Sequence, residues 1–374
     1  MAKMGELKIA LIHDELTRRG GAEIVFEEMI RTWPQADVYA LYAGRPQAAI
    51  GDKTYKIETS FLQKFPLWFR RHPRRLLPLL PQAAEQFDFS GYDVVVSSAS
   101  GLAKAIVTRA GVPHICYCHT PTRYLWDNSL EAIAQTPRGL RWLARLVIHY
   151  LRLIDYAAAQ RVNIFLANSQ YTQARIAKYY RRKSEVIYPP VDTAFFTPGK
   201  RIELNDYFLC VGRLTRSKKF DQAIRVCEKL GLDLVVVGTG YDHKRLSKLA
   251  GQHTTLVGKV SQERLREYYR GARALIQPGV EDFGLASAEA LACGTPVIAF
   301  GEGGVKEIIR DRSIGILYND QSNEGVAEAL RQFLESDRIF EQGKLQQTAW
   351  RFSLTRWRDS IYKRVNNYVE SKQV

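Results

Sequence analysis

Residues 279–304 read GVEDFGLASAEALACGTPVIAFGEGG, and they constrain the fold more than any other part of the chain. Phe283-Gly284 is a turn signal that opens a run of small residues with helical character. The run stops at Cys293-Gly294, and Thr295-Pro296 leads into the apolar strand Val297–Phe300. With the apolar run Ala274–Gln277 ahead of it, this is strand, loop, helix and strand. That order builds a parallel sheet covered by helices.

The same alternation runs through the whole chain. Leu7–Ile12 reads as a buried strand, and Ala22, Val25, Phe26, Met29, Ile30 and Trp33 then recur at helical spacing. Val94–Ser97, His114–Cys118 and Ile164–Asn168 are further strand candidates. After the prolines at 189 and 190 the pattern restarts with Tyr207–Val211, Leu232–Val237, Thr254–Val257, Ala274–Gln277 and Val297–Phe300. At 374 residues the chain is too long for one ordinary core. We therefore expect two α/β domains, 1–190 and 191–353, with a C-terminal helix from about 354 packing back on the first. Open parallel sheets bind ligands at the carboxyl ends of their strands, so two such sheets facing across a cleft would each hold one substrate.

Five scattered cysteines without a paired spacing read as reduced core thiols, with Cys116 and Cys118 on one side of a strand. No apolar run reaches the ~18–20 residues that span a bilayer. The start, MAKMGELKIALIHDE, meets acids too early for a secretory signal, which sets the expectation of a cytoplasmic protein.

The net charge is +15 and uneven: residues 1–190 hold 26 Lys and Arg against 16 Asp and Glu. That asymmetry points to an anionic partner for the first half. Segment 61–80, FLQKFPLWFRRHPRRLLPLL, interleaves five basic residues with aromatics and leucines and has no acid. Trp68, Phe69, Arg70, Arg71, Arg74 and Arg75 make it a candidate patch for an anionic membrane, peripheral on the inner face. Arg138, Arg141, Arg145 and Arg152 fall largely on one helical face. No zinc, helix-turn-helix or RNA-recognition signature is present, so no nucleic-acid partner is expected.

Four segments carry the chemistry. In the opening stretch, Glu281 and Glu289 bracket seven residues. The helix start offers backbone N–H groups of Phe283, Gly284 and Leu285 to a phosphate, and Glu289 can accept from a ribose hydroxyl. The second segment, VGRLTRSKKF, sets Arg213 and Lys218 after a strand, two cations that can neutralise a departing diphosphate. The third, HDELTRRGGAE, offers Gly20 and Gly21 for close backbone approach, without a G-x-G-x-x-G fingerprint. In the fourth, CYCHTPTRYLWD, His119 ends a strand, and Arg123, Tyr124, Trp126 and Asp127 supply groups suited to a sugar. Together these describe a nucleotide-sugar site.

With RRGGAE, HTPTRYLWD, GRLTRSKKF, LVGKVSQERL and EDFGLASAEALACGTPVIAFGEGG in place, the chain resembles retaining glycosyltransferase family 4 over nearly its whole length. The resemblance implies the GT-B fold, two Rossmann-like parallel-sheet domains facing across a cleft, with acceptor on the first and nucleotide-sugar donor on the second. It implies that Arg213 and Lys218 hold the donor diphosphate, Glu289 the ribose and Glu281 the transferred sugar. It places Phe283, Gly284 and Leu285 at phosphate and sugar, Gly20 and Gly21 at the donor pocket, His119 beside the anomeric centre and Lys259 near the nucleobase. The family's usual serine after this proline is Gly279 here. No D-x-D tripeptide occurs, in keeping with a reaction that requires no metal or other cofactor. The HTPTRYLWD form looks like bacterial mannosyltransferases that build O-antigen or exopolysaccharide from GDP-mannose, which implies a lipid-linked or polysaccharide glycan acceptor. A UDP-sugar donor, UDP-glucose or UDP-GlcNAc, is the nearest alternative. A non-catalytic basic module for membrane or nucleic acid is the alternative of another class.

Overall fold

A computed structural model describes residues 7–70, 76–199, 206–335 and 340–373. Arg71, Arg74 and Arg75 of the proposed membrane patch lie outside these described residues. The chain divides into two compact units, Met1–Tyr188 with Trp357–Val374, and Pro189–Arg356.

The first unit is built on an eight-stranded sheet. Its strands are β1 (Ile9–Leu16), β2 (Asp37–Ala43), β3 (Gln47–Ile50), β4 (Lys53–Thr59), β5 (Val94–Ala99), β6 (His114–Cys118), β7 (Ile164–Ala167) and β8 (Ser184–Val186). The order is β3-β4-β2-β1-β5-β6-β7-β8, parallel except for the edge hairpin β3–β4. The inner strands begin as apolar runs because both faces are covered, and polar residues enter toward the carboxyl ends of β1 and β5, at His13 to Glu15 and at Ser97 and Ser98. Ala10 and Ile12 enter one core and Ile9 and Leu11 the other. Val95 likewise separates from Val94 and Val96. Cys116 and Cys118 share one face, and all five cysteines are free and buried.

The helix Leu354–Gln373 closes one of these faces. Trp357, Ile361, Val365 and Val369, spaced four apart, sit in the core beside Val25, Met29 and Trp33. Arg358 anchors it by donating to Glu28 at 2.6 Å, and Arg364 by donating to Glu185 at 2.6 Å.

The second unit is a six-stranded sheet. It comprises β9 (Tyr207–Val211), β10 (Asp233–Val237), β11 (Thr254–Gly258), β12 (Leu275–Gln277), β13 (Val297–Phe300) and β14 (Gly315–Tyr318). All its pairings are parallel, in the order β11-β10-β9-β12-β13-β14. The order reverses between β9 and β12, where neighbouring strands send their following helices to opposite faces. The loops leaving β9, β12 and β13 therefore emerge side by side.

Candidate functional site

Those three loops hold the second unit's chemistry. After β9, Gly212 turns the chain, Arg213 stands exposed, and a short helical turn Arg216–Lys218 follows. After β12, Pro278–Gly284 leads into the helix Leu285–Ala292. After β13, the 301–304 loop docks on the second loop, Gly304 donating its N–H to the Glu281 carbonyl at 2.9 Å.

Gly279 explains how the first two loops meet. A Cβ there would lie 2.4 Å from the Ser217 carbonyl oxygen and 2.8 Å from the Lys218 Cα. Only glycine permits that approach. It brings the Lys218 ammonium onto the Glu281 carboxylate, and the two form an ion pair with side chains about one-quarter and one-fifth exposed. Two residues expected to bind different parts of a ligand are thus bound to each other. An arriving diphosphate would compete with Glu281 for the ammonium.

Gly284 ends the second loop at φ +104, in the left-handed region, and starts the helix. Its carbonyl accepts from Ser287 and Ala288, leaving the first N–H groups of the helix pointing out of its end. Leu285 is half-buried there. The Phe283 side chain instead turns into the core, edge-on to Phe352 at 5.0 Å. Behind the turn, the buried Ser287 hydroxyl donates to Gln277 Oε1 at 2.5 Å, and Gln277 Nε2 is buried without a partner.

Glu289 is the fifth residue of this helix. The buried Tyr269 hydroxyl donates to its Oε2 at 2.8 Å. Burial pushes the carboxyl up to about 7, against the smaller opposing effect of that hydrogen bond. Lys259 is exposed, directly after Gly258 on the edge strand β11.

The first unit also gathers its groups at the carboxyl ends of adjacent strands. Gly20 caps the helix Gly21–Thr32 and donates its N–H to Glu23 Oε2 at 2.8 Å. Glu23 Oε1 lies 4.0 Å from His13 Nε2, an ion-pair distance. On its other side, His13 Nδ1 donates to the Ser98 carbonyl at 2.9 Å. The Ser98 hydroxyl is hydrogen-bonded to His119 Nε2 at 2.8 Å. A chain Glu23–His13–Ser98–His119 thus crosses from β1 to β5 to the end of β6. Burial works against charge at all three ionisable groups, but at the first two their mutual attraction prevails. Glu23 is held down to about 2 and His13 above its ordinary value. His119, buried and facing the His13 charge, falls to about 3 and stays neutral.

The loop after His119 is fixed from within. Trp126 stacks on Tyr179 at 5.0 Å and donates its indole N–H to Asp155 at 2.7 Å. Asp127 pairs with Arg175 and accepts from the Tyr179 hydroxyl. Asp155 also binds Lys104 at 2.5 Å, deep in the unit. Trp126 and Asp127 are therefore structural posts for this loop. Arg123 and Tyr124 are half-buried, and the Tyr124 hydroxyl is buried without a hydrogen-bond partner. In segment 61–80, Trp68 is exposed, Phe69 stacks on Phe65 at 5.3 Å, and Arg70 donates to the Phe65 carbonyl at 2.9 Å.

Sequence reasoning gave no part to His13, Glu23, Ser98 or Tyr269. His13 and Glu23 lie in the segment read for its glycines, and the carboxylate three residues past Gly20 was the available signal. Tyr269 and Ser98 carry none, because they resemble any buried tyrosine or strand serine.

Comparison with known proteins agrees with this layout. The family described as Glycosyltransferase Family 4 matches residues 19–195, and that described as Glycosyl transferases group 1 matches residues 194–349. A D-inositol 3-phosphate glycosyltransferase of Mycobacteroides abscessus is 32% identical over 171 residues, covering 40% of this chain and 39% of that protein. One from Nocardioides is 28% identical over 320 residues, covering 73% and 67%. A GDP-mannose-dependent alpha-(1-6)-phosphatidylinositol monomannoside mannosyltransferase of Mycobacterium tuberculosis is 29% identical over 232 residues, covering 54% and 60%. The chain thus spans 39% to 67% of these relatives' own lengths. Among solved structures, sucrose-phosphate synthase from Thermosynechococcus elongatus superposes with a TM-score of 0.72 at 16% identity, over 98% of this chain and all of that one. Anabaena HepE in complex with UDP and glucose gives 0.69 at 15%, over 96% and 100%. At such identities the likeness shows the fold, GT-B with two Rossmann-like domains.

Proposed function

Given that this chain belongs to the family 4, group 1 glycosyltransferases, we propose that it transfers a hexose from a nucleotide-sugar to a glycan acceptor with retention of configuration. The donor of this reading is GDP-mannose, and the acceptor is a lipid-linked or polysaccharide glycan at the inner face of an anionic membrane. The observation that carries the reading is the Lys218–Glu281 pair, held by Gly279 beside the helix that bears Glu289.

In this reading Arg213, Lys218 and the N–H groups at Leu285 take the donor diphosphate. Glu289 accepts from the ribose hydroxyls. Once phosphate claims the ammonium, Glu281 is released to hydrogen-bond the transferred sugar. As the sugar C1–O bond breaks, negative charge grows on the leaving phosphate, and the two fixed cations stabilise it. The acceptor oxygen bonds to C1 from the same face, and its proton passes to the departing phosphate oxygen. No side chain forms a bond to the sugar. Neutral His119, with Gly20 and Gly21, serves the sugar side, and Lys259 the base. Arg123 and Tyr124 face the acceptor, while Trp126 and Asp127 hold the loop that carries them.

The mannose and guanosine assignments draw on the HTPTRYLWD segment and on the GDP-mannose-dependent relative. A donor screen tests them. GDP-mannose, UDP-glucose and UDP-GlcNAc are each incubated with the protein, and the nucleotide diphosphate set free is identified. Release of GDP from GDP-mannose alone is expected. Release of UDP instead would move the assignment to a UDP-sugar, and release from none would remove the enzymatic reading.

A further inference from the structure

The helix Arg141–Arg161 carries an apolar stripe that the fold leaves in solvent. Its inward face is ordinary: Ile148, Leu151, Ala158 and Ala159 are buried in the core. Its outward face is not. Trp142 is 62% exposed, Leu146 58%, Tyr150 60% and Leu153 58%, and Leu143 and Tyr156 are exposed beside them. Positions 142, 146, 150 and 153 recur at helical spacing, so they form one line along the helix. Leu130 and Leu140, both exposed, continue the apolar surface ahead of it. Most of the large apolar side chains exposed on the described surface fall within these 27 residues. Isolated exposed leucines need no explanation, but an aligned set this size does.

The charges beside the stripe choose its occupant. Arg138 and Arg145 are exposed, as is His149, and Arg141 is half-exposed. The helix has a single acid, Asp155, which is fully buried against Lys104. The outward face is therefore apolar and basic with no acid. A second copy would bring the same positive face against this one, which like charges oppose. An anionic lipid surface matches both properties, taking the tryptophan, leucines and tyrosines below its headgroups and pairing the arginines with lipid phosphates. No described helix is long and apolar enough to cross a bilayer, so this contact lies in the plane of the interface.

We propose that the outward face of helix Arg141–Arg161, with Arg138 and Leu140 at its start, is the surface by which this protein docks on an anionic membrane. This deepens the membrane part of the proposed function, moving the main contact from segment 61–80 to a different element. It does not depend on the donor site.

The test is flotation with vesicles of phosphatidylcholine alone and with phosphatidylglycerol added. The full chain is compared with Trp142→Ser/Leu146→Ser/Leu153→Ser and with Arg138→Ser/Arg145→Ser. The full chain should float with the anionic vesicles only. The apolar triple variant should lose partitioning at least about tenfold. The arginine variant should lose about fivefold per charge, the loss shrinking as salt is raised. The single variant Leu146→Asp provides a second reading from one solvent-exposed position, with the same direction of effect. Melting temperature and nucleotide-diphosphate release from donor in solution should be unchanged in all variants, which separates a docking failure from a failure of the donor site. Wild-type flotation by the triple variant and by Leu146→Asp would overturn the proposal. So would a dimer that the triple variant dissociates in the absence of vesicle binding.

Discussion

Glu289 shows what one residue's surroundings can predict. Its carboxyl is pushed up to about 7, and in the proposed binding mode a donating ribose hydroxyl is held more strongly by the ionised form. The affinity for an intact nucleotide-sugar, whose own phosphates do not titrate near neutrality, should therefore rise by up to about tenfold from pH 6 to pH 8. Calorimetric titration across that range checks it, and Glu289→Gln should both weaken binding and flatten the profile. The same shift acts on stability with the opposite consequence. The folded state holds a proton that the unfolded chain releases above its ordinary carboxyl range, so stability falls as pH rises toward 7. At pH 8, Glu289→Gln should thus stabilise the fold by on the order of 2 kcal/mol, read as a raised melting temperature. Gly279 makes a second residue-scale case. The added methyl of Gly279→Ala would meet the Ser217 carbonyl at 2.4 Å. It should cost about 1–3 kcal/mol in denaturant unfolding and raise the donor KM by displacing Lys218. At this scale the sequence shows which residue types are present after which strand. It does not show that Lys218 and Glu281, 63 positions apart, form an ion pair, because Gly279 acts by being small and leaves no positive mark.

Among elements, those with strong periodicity were legible. The strands at Tyr207–Val211, His114–Cys118 and Val297–Phe300 lie where the apolar runs place them. The antiparallel hairpin β3–β4 was not expected, because Gln47–Ile50 is too short to show a period and the alternation in Lys53–Thr59 rests on Tyr55 and Ile57 alone among polar residues. Strand β2 was not among the expected strands either, although Val38–Ala43 is an apolar and aromatic run that pairs with both β1 and β4. The C-terminal helix contributes a test of its own. Trp357 is 2% exposed and packs edge-on to Tyr117 at 6.1 Å. Trp357→Ala should destabilise the first unit by about 3–5 kcal/mol, seen as an early transition in chemical unfolding.

On the scale of the whole molecule, the alternation of strands and helices along the sequence specifies the fold class. The two units share one arrangement of loops. Each gathers its polar groups at the carboxyl ends of neighbouring parallel strands, β1, β5 and β6 in one and β9, β12 and β13 in the other. In the proposed mechanism Arg213, Lys218 and a helix N-terminus supply the positive charge that the leaving diphosphate needs, so transfer should proceed at an unchanged rate in excess EDTA. Loss of rate that magnesium or manganese restores would contradict that assignment.

The proposed function turns on the Lys218–Glu281 pair as the place where a nucleotide-sugar is held and activated. The most direct measurement compares nucleotide-diphosphate release by the full chain with that of Lys218→Ala and Glu281→Ala, each first shown by its melting curve to be folded. A loss of about 10²–10³ in kcat/KM is expected for each. Folded variants that turn over every donor at the wild-type rate would contradict it.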